Sequence, residues 1–215
     1  MVYLTHIIDQ YDTLAARLIF IHADRYQWHN DDPRYDGRTS LQNLRLEYVD
    51  AEGYVNLRCH WLQGCPTAVN LTMAPYIDPY KRDDVVNFDH RYASILHHLF
   101  PALSTPKMVA ATCCSQFAVT SAAVRKQPRN VYINIRKWLL ETEMDDYDTG
   151  RVLEYMWHIL FGKEAVHCPD ADVCYCKLYG KCGLTCKGGD CGLYQYPLNI
   201  PRLKTIWWKV KHFLG

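Results

Sequence analysis

No apolar run in this sequence approaches the roughly 18 residues needed to cross a membrane. No basic stretch followed by an apolar one opens it either. From these absences we expect a cytoplasmic chain with no stable membrane insertion. Charge of one sign is also lacking: the formal net charge is +1, with 24 Lys and Arg against 23 Asp and Glu. No global field would draw such a chain onto nucleic acid, so any RNA contact would need a local patch. No Gly-rich phosphate loop follows a strand, which argues against a built-in ATP-activating domain. Internal repeats and low-complexity tracts are absent as well.

What is present suits one well-filled core. The chain has 215 residues, 49% of them hydrophobic and 22% charged. Aromatic residues make up 13%, with 16 Tyr and 6 Trp, which suits either deep pockets or plain core packing. Leu4, Ile7, Ile8, Tyr11 and Leu14 follow helical spacing and predict a helix to about Ala16. It begins without a cap or a preceding strand, so a strand missing from the front of the domain is expected. Leu18 to His22 reads as a buried parallel strand. It empties into Ala23 to Pro33, a loop dense in functional side chains. In open α/β sheets, ligands bind beyond such strand ends. Asp24 is the candidate ligand residue there, and His22 a candidate base.

Tyr54 to Trp61 alternates like a second strand, and Pro66 to Pro79 reads as irregular. Asn70-Leu71-Thr72 fits a glycosylation sequon, without meaning in a cytoplasmic chain. Tyr92, Ile95, Leu96 and Leu99 mark a helix that stops before Pro101, and Val131 to Leu140 marks another. Met108 to Thr120 reads as one apolar strand with Cys113-Cys114-Ser115-Gln116 at its centre. Cys114 and Ser115 are candidate nucleophiles there and Gln116 a candidate binding residue, although buried cysteines are more often inert hydrophobes.

Gly150 to Phe161 predicts one helix with Leu153, Met156, Trp157 and Leu160 on its apolar face. Arg151, Glu154, Tyr155 and His158 share the opposite stripe. The bland interpretation is a solvated face with a Glu-His pair worth tenths of a kcal/mol. If the stripe is covered, Glu154 and His158 acquire shifted pKa values suited to proton transfer. Upstream, Asp145 and Asp146 belong to an acidic cluster able to bind a metal or a guanidinium.

Cys168, Cys174, Cys176, Cys182, Cys186 and Cys191 crowd the C-terminal part. A structural zinc site and a disulfide framework both fit this density, and the segment is expected to be a structural cap. Basic and aromatic residues then interleave from Arg202 to Phe213, a candidate RNA- or membrane-contacting tail. The expected organisation is a catalytic-type α/β domain at 1–165, a Cys-rich cap at 166–192 and a basic-aromatic tail at 193–215.

Several blocks resemble a fungal family catalogued as a domain of unknown function: Tyr35 to Gly37, Asn43 to Leu46, Gly53 to Cys59, Gly64 to Pro66 and Cys113 to Thr120. Trp138 to Thr142, Gly150 to Gly162 and His167 to Pro169 complete the likeness, which spans about residues 1–192. The family is identified as one that includes arginine-containing cyclodipeptide synthases of secondary metabolism. The blocks also look like a glycosyltransferase-A-like architecture, a three-layer α/β sheet with flanking helices. The resemblance implies an aminoacyltransferase taking Arg-tRNA and a second aminoacyl-tRNA to a diketopiperazine, with no catalytic cofactor. Asp145, Asp146 and Glu154 would hold the guanidinium and α-amine, assisted by Arg151 and Tyr155. His22, His158 or Glu154 would take the proton. The alternatives are a glycosyltransferase-like enzyme using a nucleotide sugar, and an inactive truncated homologue.

Overall fold

The computed structural model describes residues 1–77, 87–101, 103–184, 186 and 191. The first helix, α1 (Val2–Asp9), buries Leu4, Ile7 and Ile8, the i, i+3, i+4 spacing expected of it. It ends earlier than Ala16: the Thr13 backbone N–H and hydroxyl bond to Gln10, closing a turn in place of another helical turn.

Strand β1 (Arg17–Phe20) alternates, with Leu18 and Phe20 buried and Ile19 42% exposed. Its partner is antiparallel, β5 (Phe117–Thr120), which also pairs antiparallel with β2 (Tyr54–Asn56). The expected buried parallel strand is therefore a half-exposed edge strand, its alternation hidden because both faces carry apolar residues. The expected strand at 54–61 stops at Asn56. There the Asn56 side chain accepts from the Arg58 N–H and donates to Thr112 O, taking the chain out of the sheet. A second sheet has the order β3 (Val69–Asn70), β4 (Met108–Ala111), β6 (Val166–His167), with β4 and β6 parallel.

The first sheet is covered on both sides. Leu18, Phe20, Tyr54, Phe117 and Val119 join a core with α1, α4 (Phe88–Leu99), α6 (Arg129–Glu141), α7 (Asp146–Glu154) and α8 (Trp157–Leu160). Val55 and Ala118 point the other way, against Val49 of α3 (Leu46–Glu52) and Cys174, Tyr175 and Leu178 of α9 (Ala171–Tyr179). With α2 (Gly37–Asn43) and α5 (Ser121–Val124), the described residues form nine helices around two small sheets. The result is a mixed α/β fold.

The Cys-rich segment is stapled to the body. Cys59 pairs with Cys174 and Cys65 with Cys168, across separations of 115 and 103 residues. Cys176–Cys182, Cys186–Cys191 and the adjacent Cys113–Cys114 complete five disulfides, so all ten cysteines are used. The six C-terminal cysteines are thus held as disulfides, and a sulfur bonded to sulfur offers no thiolate to zinc. Among the described residues, no helix is long and apolar enough to cross a membrane. The basic-aromatic tail at 193–215 lies outside the described residues.

Candidate active site

The run expected as one strand over 108–120 breaks into β4 and β5, and Cys113 to Gln116 form the turn between them. Cys114 (φ 93°) and Ser115 (φ 50°) occupy left-handed backbone, which costs about 1–3 kcal/mol per non-glycine residue. Neighbours compensate. The His22 imidazole Nε2 lies 2.8 Å from Cys114 O, and Gln116 Oε1 accepts from the His22 N–H at 3.0 Å. The Cys114 N–H donates to the Glu154 carboxylate. Gly64, also at positive φ, passes so close to Ala111 O that a Cβ there would collide with it.

This turn forms one wall of a cleft of about 680 Å³, within the range of small-molecule sites. His22, Trp28, His29 and Gln63 line it from the first half of the chain, and Tyr147, Arg151, Glu154 and Tyr155 from α7 and its end. The expected helix over 150–161 does not run through. Tyr155 ends α7 and Met156 precedes α8 in non-ideal geometry. Leu153, Met156, Trp157 and Leu160 all remain buried, but the polar stripe divides. Arg151, Glu154 and Tyr155 reach the cleft. His158 is fully buried, with Nε2 2.9 Å from Ala165 O, so it cannot act there as a base.

Burial raises the Glu154 carboxyl above its ordinary range. The Cys114 N–H, Arg151 and Arg58 hold the rise in check. Arg151 itself lies over Phe88, 4.1 Å from the ring centroid. Burial, His22 and Arg58 lower His29 to about 4, leaving a neutral imidazole stacked on His22 at 4.7 Å. A carboxylate whose pKa is raised is a better proton acceptor for a bound hydroxyl or amine.

Cys114 is closed in its disulfide with Cys113 and carries no thiol nucleophile. Ser115 lines the cleft. Asp145 caps α7 by accepting from the Asp148 N–H, and Asp146 is exposed in the first turn; neither lines the cleft, and Asp148 beside them pairs with the Arg91 guanidinium of the fold itself. Asp24 and Gln116 line a smaller cavity of about 230 Å³ that shares His22 with the cleft. Gln116 is buried and spends its amide on Asn30 Oδ1 at 3.1 Å. Among the described residues, no three metal-ligating side chains converge.

Sequence reasoning missed Arg58, His60 and Asp31. Arg58 is 3% exposed: Nε donates to His60 Nε2 at 2.6 Å, and Nη1 lies 2.8 and 2.7 Å from the sulfurs of Cys113 and Cys114. Behind it, Asp31 accepts from the Cys59 N–H and the Tyr175 hydroxyl. An arginine and a histidine at alternate positions of a β-like segment were the available signal. The segment's apolar neighbours masked it.

Compared with known families, residues 1–177 match the model described as protein of unknown function (DUF3431). The chain belongs to that family. No curated protein matches it, and no solved structure does. The matched span includes every residue that lines the cleft.

Proposed function

We propose that this DUF3431 chain is a group-transfer enzyme of an oxidising compartment. In this reading Glu154 takes a proton from an acceptor hydroxyl, and the donor is a nucleotide-activated sugar. The observation that carries it is the half-buried Glu154 carboxylate, its pKa raised by desolvation, held by the Cys114 N–H in a cleft of about 680 Å³. The acceptor oxygen bonds to the sugar C1 as the C1–O bond to the diphosphate breaks. The diphosphate leaves with the electron pair, and the proton goes to Glu154. Arg151, on the same wall, is suited to the leaving anion. Trp28, Tyr147 and Tyr155 offer flat amphipathic faces to a sugar ring.

The five disulfides favour an oxidising compartment over the expected cytoplasm. Aminoacyl-tRNA belongs to the reducing compartments where translation runs, and this places the cyclodipeptide synthase reading second. One observation keeps that reading in play: a carboxylate in a cleft also lined by Tyr147 and Tyr155 suits a guanidinium. There Glu154 would deprotonate the α-amine that attacks the aminoacyl ester, and Arg-tRNA and a second aminoacyl-tRNA would be the substrates.

One experiment separates the two. Purified chain is incubated with a panel of nucleotide sugars and acceptors, and in parallel with charged tRNAs with and without ribonuclease. Nucleoside diphosphate release that Glu154→Gln abolishes supports the glycosyl reading. Ribonuclease-sensitive cyclic dipeptide formation overturns it in favour of the second. Absence of both products from oxidised, folded chain overturns both.

A further inference from the structure

We propose that Asn70 is a site of N-linked glycosylation, a modification that rests on the oxidising-compartment reading above. Asn70-Leu71-Thr72 is the one Asn-X-Ser/Thr triplet in the sequence, and its middle residue is not proline. The sequon sits where strand β3 ends, at the margin of its sheet, since among the described residues β3 pairs only with β4. The chain then turns outward. The Met73 N–H bonds back to Asn70 O at 3.2 Å, and residues 72–77 are all exposed.

The hydrogen bonds of Asn70 leave the acceptor nitrogen available. Its backbone N–H donates to Asp89 Oδ2, and its side-chain oxygen accepts from the Thr72 N–H at 3.0 Å and the Thr72 hydroxyl at 2.7 Å. Both side-chain bonds use Oδ1, so among the described residues Nδ2 donates to none. A glycan on Nδ2 would displace no bond of the fold. Neither Asn70 nor Thr72 lines the catalytic cleft, so the modification and the chemistry are spatially separate.

The donor is a polyprenyl-diphosphate-linked oligosaccharide, transferred by the oligosaccharyltransferase of the secretory pathway. The Asn70 Nδ2–C1 bond forms as the C1–O bond to the diphosphate breaks. The diphosphate leaves with the electron pair, and one amide proton passes to the transferase. No oxidant or reductant is needed.

The test expresses the full chain behind a cleavable secretory leader in a eukaryotic host. Peptide mapping before and after peptide N-glycosidase should find one glycan per chain at Asn70, with Asn converted to Asp on release. Thr72→Ala and Asn70→Gln should each remove the single gel shift, while Thr72→Ser should keep it. Thiol titration of the same preparation separates the two failures. Fully paired cysteines with an unmodified Asn70 overturn this proposal and leave the compartment reading standing. Free thiols on folded chain overturn the compartment reading, and this proposal with it.

Discussion

Arg58 Nη1 lies 2.7 Å from Cys114 Sγ, so a buried guanidinium stands directly behind the disulfide that lines the cleft. The same cation acts on Glu154 through space, lowering its pKa against the rise caused by burial. The strained turn, the disulfide and the proposed general base are thus linked through one side chain, Arg58.

Arg58→Gln should therefore move the acidic limb of the kcat/KM–pH profile to higher pH, because Glu154 loses a stabilising charge. Arg58→Lys, which keeps the charge, should move it less. Profiles for the three proteins check this, with circular dichroism controlling for folding. An unmoved limb in folded Arg58→Gln would show that Glu154 is not the group titrating.

Glu154→Gln should cost about 10²–10⁴ in turnover, the usual contribution of a positioned proton acceptor. Stability should move the other way. A carboxyl with a raised folded pKa stabilises the fold fully below its unfolded pKa and loses that contribution as pH rises through the folded value. The neutral amide removes that loss, so Glu154→Gln should melt no lower than the parent at pH 7. A lower melting temperature would make Glu154 a structural residue.

Much of this arrangement was legible in residue spacing. The burial of Leu4, Ile7 and Ile8, the apolar face from Leu153 to Leu160, and the position of Glu154 beside Arg151 and Tyr155 all follow helical periodicity. Trp28 and His29 could be found from the polar density of their loop. Other features carry no local signal. Cys59 finds Cys174 across 115 residues, and no spacing rule names that partner. The helix breaks after Glu154 without proline, which turns His158 from the cleft into the core. Cys114 and Ser115 adopt positive φ without being glycine, so a strand-like run conceals a turn held by tertiary bonds to His22 and Glu154. Asp145 shows the opposite error: an acid that looks like a ligand is a helix cap.

The long-range disulfides should govern stability. Cys65–Cys168 is nested within Cys59–Cys174, so with the outer bond intact it closes a ring of only about 14 residues, worth about 3 kcal/mol in the chain-entropy account. Cys65→Ser with Cys168→Ser should therefore lower the melting temperature by about 6–12 °C, on the scale of roughly 2–4 °C per kcal/mol. Calorimetry of the double variant against the parent measures it. A loss as small as that of an ordinary surface change would mean that the unfolded chain is already compact without the bond.

Acid should weaken the fold through its buried histidines. Burial lowers His158 to about 4, although its bond to Ala165 O pulls the other way. His167 is also lowered to about 4, and the two rings stack 6.3 Å apart. Both folded values lie below the ordinary 6.5, so the unfolded chain binds protons that the folded chain refuses. Stability is then retained above about 6.5 and falls as pH drops towards 4. For the fully buried His158 the linkage is on the order of 3 kcal/mol; the more accessible His167 contributes less. Glu154 opposes this trend only weakly, since it is one partly shielded group against two rings. Urea melts at pH 7.5, 6 and 5 should show a falling midpoint. The slope should flatten in His158→Gln, whose amide can still donate to Ala165 O but cannot be protonated. An unchanged slope in that variant would mean that His158 opens to solvent before the chain unfolds.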